Sequence, residues 1–469
     1  MSGQITVATW LFLLLVFIAA IAVLDRVLIP STRWFLRRRI NRVIEEIGTR
    51  LDIEIRPFQL TKRQVLIDRL AYDPKVIEAI QSFAREHDMP LEVVQNQVLT
   101  YAREIVPSFN AYFYFRTGYW LAKKIARLLY RVRVGLLKDE QYRSIDPNST
   151  VVFVMNHRSN MDYILVAFLA AERTTLSYAV GEWAKIWPLH MLIRFMGAFF
   201  VRRDSGNPLY RRVLERYIHM ATREGVCQAV FLEGGLSRDG NLRPPKLGLM
   251  DYMLRQYEPD SDRDIVFIPV GINYDRTIED RSLLRALDPS AEKRSLWFVI
   301  RTTAGFILRS LVLMTFSRWR RYGFACVNFG PPLSARTYCR EQGVVFSRLP
   351  RSERFPEIEK LCRRLMGAIA EVIPVLPVSL VSRVFLDAGD AAMDILEVEN
   401  RSNQLITRLQ ERGAPILETP RSTRAHAIAE AVNLLLLRGI IAVSDGKFKA
   451  SMQEAAILRY YANAIGHWL

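Results

Sequence analysis

The sequence predicts an α/β fold: a mixed sheet flanked by helices, preceded by a helical N-terminal region and followed by a mostly helical C-terminal domain. Three observations predict it. Between about residues 145 and 335, short β-branched runs alternate with stretches of helical period; the flanks show helical period alone; and segments rich in glycine and charge follow directly on several of the apolar runs.

Size and charge bound the rest. At 469 residues the chain exceeds one small core, and about two to three domains are expected. Its 65 Lys and Arg against 48 Asp and Glu leave +17, so the surface attracts polyanions, whether nucleic acid, anionic headgroups or phosphorylated metabolites. Cys227, Cys326, Cys339 and Cys362 are far apart, without a CxxC pair or histidines at ligand spacing. This reads as a reducing compartment with neither zinc nor a disulfide framework.

The elements follow in order. Ile5 to Leu24 is an uncharged apolar run. As a helix rising about 1.5 Å per residue it matches the roughly 30 Å of a bilayer core. A cleaved signal peptide is the competing reading, but no basic n-region precedes the run, and the arginines from Arg26 to Arg42 resist translocation. The expectation is a single-pass anchor within residues 1–30, with all that follows cytoplasmic. Residues 31–135 read as helical, with prolines at 74 and 90 where helices can begin, and their last stretch mixes aromatics with Lys and Arg in a manner suited to a headgroup interface or to core packing.

Residues 136–340 hold the runs TVVFVM, LSYAV, AFFVRR, CQAVFLE, DIVFIPVGINY and FACVNFG, the expected strands, and Gly225 closes the helical stretch from Asn207. Residues 295–323, apolar but carrying Arg301 and Arg309, suit either a surface-lying helix or a core helix. Residues 341–469 are helical again, with a hairpin expected at Asp445-Gly446 and no chemistry recognisable in them, so a scaffold.

The chemistry concentrates at FVMNHRSNMDYILV, residues 153–166. A strand ending at Met155 puts His157 at the carboxyl edge of the sheet, and a helix beginning near Asn160 puts Asp162 in its first turn. A carboxylate accepting from Nδ1–H would leave Nε2 free to take a proton from a substrate hydroxyl. Spacing alone equally allows a histidine at a helix start beside an aspartate that favours the helix dipole. Further along, GAFFVRR carries adjacent arginines, and FLEGGLSRDGNLRPPKLG places glycines among Ser237, Arg238, Arg243 and Lys246, a loop able to ring an anion.

NHRSNMD, GAFFVRR, FLEGGLSRDG with PPKLG, and IVFIPVGINYD resemble, in order, the four blocks of the glycerolipid acyltransferases, the first being their His-x4-Asp motif. The likeness is to the bacterial membrane-bound glycerol-3-phosphate acyltransferases, over roughly residues 55 to 335 and more faintly at ILRYYANAIGHW. The resemblance implies an acyltransferase-type mixed sheet, with His157 as general base and Asp162 orienting it. It implies that Arg202, Arg203, Ser237, Arg238 and Lys246 bind phosphate, that Glu233 and Gly234 belong to the acceptor loop, and that Pro269 marks the fourth block. Leu236 departs from the pattern, standing where family members often have arginine.

The activity so implied is transfer of a fatty acyl group from acyl-CoA or acyl-carrier protein to the sn-1 hydroxyl of glycerol-3-phosphate, the first step of phospholipid biosynthesis. Its partners would be that donor, that acceptor and membrane lipid, at the inner membrane, with no cofactor, metal or nucleic acid. No acyl-enzyme is expected, since GLSRDG has GxSxxG rather than the GxSxG of a nucleophile elbow. Acylation of 1-acylglycerol-3-phosphate at the sn-2 position is the alternative, against which Gly235 argues. A basic membrane or nucleic-acid binder without catalysis is a further one, and no nucleic-acid-binding motif supports it.

Overall fold

A computed structural model of the chain describes residues 57–109, 118–135, 141–142, 144–170, 177–180, 197–202, 205–287, 322–417 and 423–469. The apolar run at 5–24 and most of the stretch at 295–323 lie outside them. Among the described residues no helix is long and apolar enough to cross a membrane.

Among the described residues a single helical turn at Pro57–Leu60 is followed by three helices: α1 (Arg63–Ala71), α2 (Pro74–Glu86) and α3 (Leu91–Ile105). Asp73 caps α2 by accepting from the Lys75 N–H at 3.0 Å, and Pro74 fills the first helical position, where no donor is needed. Next come α4 (Tyr119–Leu129), β1 (Arg131–Gly135), β2 (Thr150–Met155), α5 (Met161–Ala170), β3 (Ser177–Val180), β4 (Phe199–Phe200), α6 (Pro208–Arg223), β5 (Gln228–Phe231), α7 (Gly248–Leu254), β6 (Ile265–Tyr274), α8 (Asp280–Arg285), β7 (Phe324–Phe329) and β8 (Leu333–Ser334). Helices α9 (Ala335–Gln342), α10 (Arg351–Val372), α11 (Pro377–Ala388), α12 (Ile395–Glu411) and α13 (Arg424–Leu437), the hairpin β9 (Ile441–Ser444) and β10 (Lys447–Ala450), and α14 (Ala455–Asn463) complete the chain.

Strands β1 to β8 form one mixed sheet in the order β1-β7-β6-β2-β5-β3-β4, with β8 also paired to β6, and β9 and β10 pair apart from it. At its centre β6, β2 and β5 run parallel, Met155 lying opposite both Val270 and Phe231. All ten residues of β6 are buried, as expected of a strand covered on both faces. Side chains alternate between two cores: Val152 and Val154 pack with α1 to α3, α6 and α10, while Met155 and, partly, Phe153 pack with α4 and α5. Burying each valine fully contributes about 1.5–3 kcal/mol. Pro269 is tolerated mid-strand because its carbonyl, accepting from Gly330 N–H at 2.8 Å, faces the interval between β7 and β8, where no ladder donor is required.

Two expected domain boundaries fall inside packed structure. β1 pairs in parallel with β7 from Arg131 opposite Phe324 to Gly135 opposite Asn328, so the sheet begins before residue 136. Its RVRVG alternation is that of an edge strand half open to solvent, which in sequence is indistinguishable from a basic loop. Beyond residue 340, α10 lies on β6 so closely that a Cβ at Gly271 would sit 2.5 Å from the Val372 carbonyl. A separate core holds α11 to α14. At the hairpin tip, Asp445 and Gly446 both have positive φ, as a two-residue turn of the I′ kind demands.

Gly271→Ala is expected to cost about 1–3 kcal/mol or more through overpacking against α10, read as a lower denaturant midpoint at unchanged slope.

Candidate active site

Because β2, β5 and β6 run parallel, the chain leaving each emerges at one edge of the sheet. Residues 156–160, 232–247 and 275–279 therefore converge there, where open α/β sheets build their sites. Asn156 fixes the first of these segments. Its side-chain oxygen accepts from Ile272 N–H at 2.8 Å and its amide donates to Ile272 C=O at 2.9 Å, so a side chain replaces the backbone as partner of β6 just where β2 ends.

His157 and Asp162 follow, 1% and 0% exposed. The imidazole Nδ1 lies 2.9 Å from Asp162 Oδ2, which also accepts from the backbone N–H of Arg158 at 2.7 Å and of Ser159 at 3.1 Å. Asp162 Oδ1 accepts from the Tyr274 hydroxyl at 2.6 Å. With every partner donating, the carboxylate acts purely as an acceptor, so the Nδ1 proton lies on the ring and Nε2 carries the lone pair. That Nε2 is buried and has no hydrogen-bond partner among the described residues. Phe231 stacks on the ring at 3.9 Å between centroids, and Tyr163 meets it edge-on at 5.3 Å.

The start of α5 is held from below. Ser159 Oγ accepts from Met161 N–H at 3.1 Å and donates to Glu279 Oε2 at 2.7 Å, while Glu279 Oε1 accepts from Asn160 N–H at 3.2 Å. Burial pushes the Glu279 carboxyl above the ordinary range, partly offset by these donors.

The loop after β5 closes over the other side of His157. Glu233 Oε1 accepts from His157 N–H at 2.9 Å and Oε2 from Arg243 N–H at 3.0 Å, and Ser237 N–H donates to His157 C=O at 2.9 Å. Glu233 too is raised by burial, against the donors and cations beside it. Gly234, at φ +65°, has no room for a side chain because the Lys246 stem crosses it. The Ser237 hydroxyl is engaged within the loop, accepting from Gly240 N–H at 3.1 Å and donating to Asn241 C=O at 2.7 Å.

The C-terminal region braces this loop. Asn463 of α14 donates to Asp239 C=O at 2.9 Å, and the Arg158 guanidinium, 2% exposed, donates to Gly240 C=O. Gly240, at φ +88°, lies so near α14 that a Cβ there would overlap the Tyr460 carbonyl.

Of the residues singled out from the sequence, the structure brings His157, Asp162, Glu233, Gly234, Ser237 and Lys246 into one constellation. Arg238 is exposed on the same loop, donating to Ala286 C=O at 3.3 Å. Arg202 lies apart: its guanidinium binds Glu104 of α3 through two hydrogen bonds, at 3.1 and 2.6 Å, between the rings of Tyr101 and Tyr210. Arg203 lies outside the described residues. Pro269 sits in β6, behind the site. Asn156, Tyr274 and Glu279 were not singled out. Asn156 adjoins the motif, so its position was a signal; Tyr274 and Glu279 are brought in by the β2–β6 register, which no local pattern announces.

Comparison with known proteins defines the class first: a family model described as Acyltransferase matches residues 137–273. A second, described as Glycerol-3-phosphate acyltransferase C-terminal region, matches residues 310–469. Curated relatives include the glycerol-3-phosphate acyltransferase of Pseudomonas putida, 29% identical over 71% of this chain and 40% of that protein. Those of Aeromonas hydrophila and Xanthomonas campestris are 27% and 26% identical, each over 92% of this chain and over 53% and 48% of theirs. The chain thus spans about half, or less, of the length of the relatives it matches. The crystal structure of the Thermotoga maritima 1-acyl-sn-glycerophosphate acyltransferase overlaps 54% of this chain and 78% of that one at 15% identity, with a TM-score of 0.29.

Asn156→Ala should leave the Ile272 N–H and C=O unpaired inside the sheet edge. A loss of about 2 kcal/mol or more is expected, measured by chemical denaturation.

Proposed function

We propose that this protein transfers a fatty acyl group from an acyl thioester to the sn-1 hydroxyl of glycerol-3-phosphate. One observation carries the reading: His157 is oriented by Asp162 at 2.9 Å and presents a buried, unpartnered Nε2. A lone pair so held is suited to take the proton from an alcohol as its oxygen attacks the thioester carbonyl, and the imidazolium can then protonate the departing thiolate. The hydroxyl of the acceptor is the nucleophile, so the protein need not supply one. The names borne by the relatives support the choice of acceptor.

The phosphate is assigned to Arg203, Arg238 and Lys246, with Glu233 and Gly234 shaping the loop that holds it. Gripping the phosphate fixes the hydroxyl near Nε2, and such orientation can supply several kcal/mol of the barrier. Arg202, occupied by Glu104, is left out of this assignment. The donor is acyl-CoA or acyl-carrier protein. Attachment to the cytoplasmic face of the cell membrane through residues 5–24 suits an amphiphilic product, and resistance of the membrane-bound protein to alkaline extraction tests it.

His157→Ala is expected to lower turnover about 10²- to 10⁴-fold, with the folded state intact by circular dichroism. Near wild-type acylation of glycerol-3-phosphate by that variant would overturn the mechanism. The detergent-solubilised protein should be assayed with both donors, against glycerol-3-phosphate and 1-acylglycerol-3-phosphate; preference for the latter acceptor would reassign the substrate. Arg203→Ala and Lys246→Met are each expected to raise the acceptor KM more than they lower kcat, and an unchanged acceptor KM removes that residue from the phosphate site.

A further inference from the structure

The mechanism above uses one carboxylate oxygen of Asp162 and leaves the other unexplained. Oδ1 is turned into the sheet, where water is excluded, and its partner is the phenol of Tyr274, the last residue of β6, itself 1% exposed. The phenol lies against the Tyr130 ring, 5.2 Å between centroids, and Tyr130 is pinned by its own hydroxyl, which donates to Arg276 C=O at 2.8 Å.

We propose that Tyr274 is a positioning residue for His157: its hydroxyl, donated to Asp162 Oδ1, fixes the carboxylate plane so that Oδ2 faces Nδ1 and moderates the negative charge that the imidazole meets. This rests on the reading of His157 as general base. A carboxylate on a short side chain can rotate about its last bond. The Arg158 and Ser159 N–H groups hold Oδ2 from the helix start, and a donor on the opposite oxygen, fixed to a different strand, removes the remaining freedom.

The phenol is suited to the task because it can only donate there. Burial, with the Asp162 charge next, drives its ionisation well above the ordinary tyrosine range, so it stays protonated wherever the enzyme is folded. Other titratable groups face the dyad. Glu233 and Arg158 border His157, the rings of Tyr163 and Phe231 lie against it, Glu279 acts on Asp162 and Tyr274, and Tyr130 acts on Tyr274. None of these donates to Oδ1 among the hydrogen bonds of the described residues, so removing one hydroxyl changes that oxygen's partner without touching the others.

The sign of the effect follows. Without the phenol, more charge rests on Asp162 Oδ2 and the imidazolium is better stabilised. Tyr274→Phe is therefore expected to lower kcat about tenfold, to leave both KM values within about twofold, and to move the acid limb of the kcat/KM profile to higher pH. Replacing Tyr274 with 3,5-difluorotyrosine, a stronger donor of nearly the same shape, should move that limb to lower pH. Packing alone would not produce two shifts of opposite sign.

If the acid limb and kcat of Tyr274→Phe match wild type in protein of unchanged thermal midpoint, the inference is overturned. Where Tyr274→Phe fails to fold, the difluorotyrosine protein decides, and an unmoved limb overturns it equally. The two readings fail separately: an active His157→Ala removes the base, and the present inference with it, whereas an inactive His157→Ala beside an unaltered Tyr274 series removes only the role of the phenol.

Discussion

The site depends on one buried carboxylate. Asp162 enters the first turn of α5, is fully enclosed, and is made tolerable there by donors that arrive from its own helix start, from the imidazole and from the far end of β6. An isolated carboxylate in such a place would cost far more than burial of its apolar neighbours returns. The sheet edge is accordingly built around it: Asn156 ties the end of β2 to β6, Glu279 secures the residues just before α5, and Glu233 holds the backbone of His157. Two further carboxylates, the buried Glu233 and the half-buried Glu279, both raised by desolvation, thus serve as acceptors for backbone N–H groups.

Much of this was legible in the sequence where the determining contacts are local. TVVFVM reads as a buried strand and is β2; the five residues from His157 to Asp162 span only a helix start, so their meeting needs no knowledge of the rest of the fold. Contacts of long range were not legible. Tyr274 is 112 residues from Asp162 and arrives through the register of parallel strands. Arg202 illustrates the converse: adjacent arginines after an apolar run suggest anion binding, yet the first meets a carboxylate 98 residues earlier, on a helix whose placement no pattern in the sequence specifies. β1 was missed because an edge strand carries half the apolar signal of a central one.

The C-terminal region, which the sequence suggested only as scaffold, takes on a more definite part. Its last helix lies directly on the turn at Gly240, and Asn463 holds the neighbouring Asp239 carbonyl, so the loop bearing Arg238 and Lys246 rests on residues more than two hundred positions away. Tyr461 and Arg438 meet Asp280 at the same junction, giving the core of α11 to α14 a polar seam with α8. The second family model, over residues 310–469, covers this brace.

The slab of Phe231 against His157 constrains the traffic of protons. An imidazole stacked on one face at 3.9 Å and tethered through Nδ1 presents a single nitrogen, Nε2, to the site. On the proposed mechanism the incoming alcohol and the outgoing sulfur would visit a single point in sequence, which would favour substrates whose two groups approach from the same side of the ring.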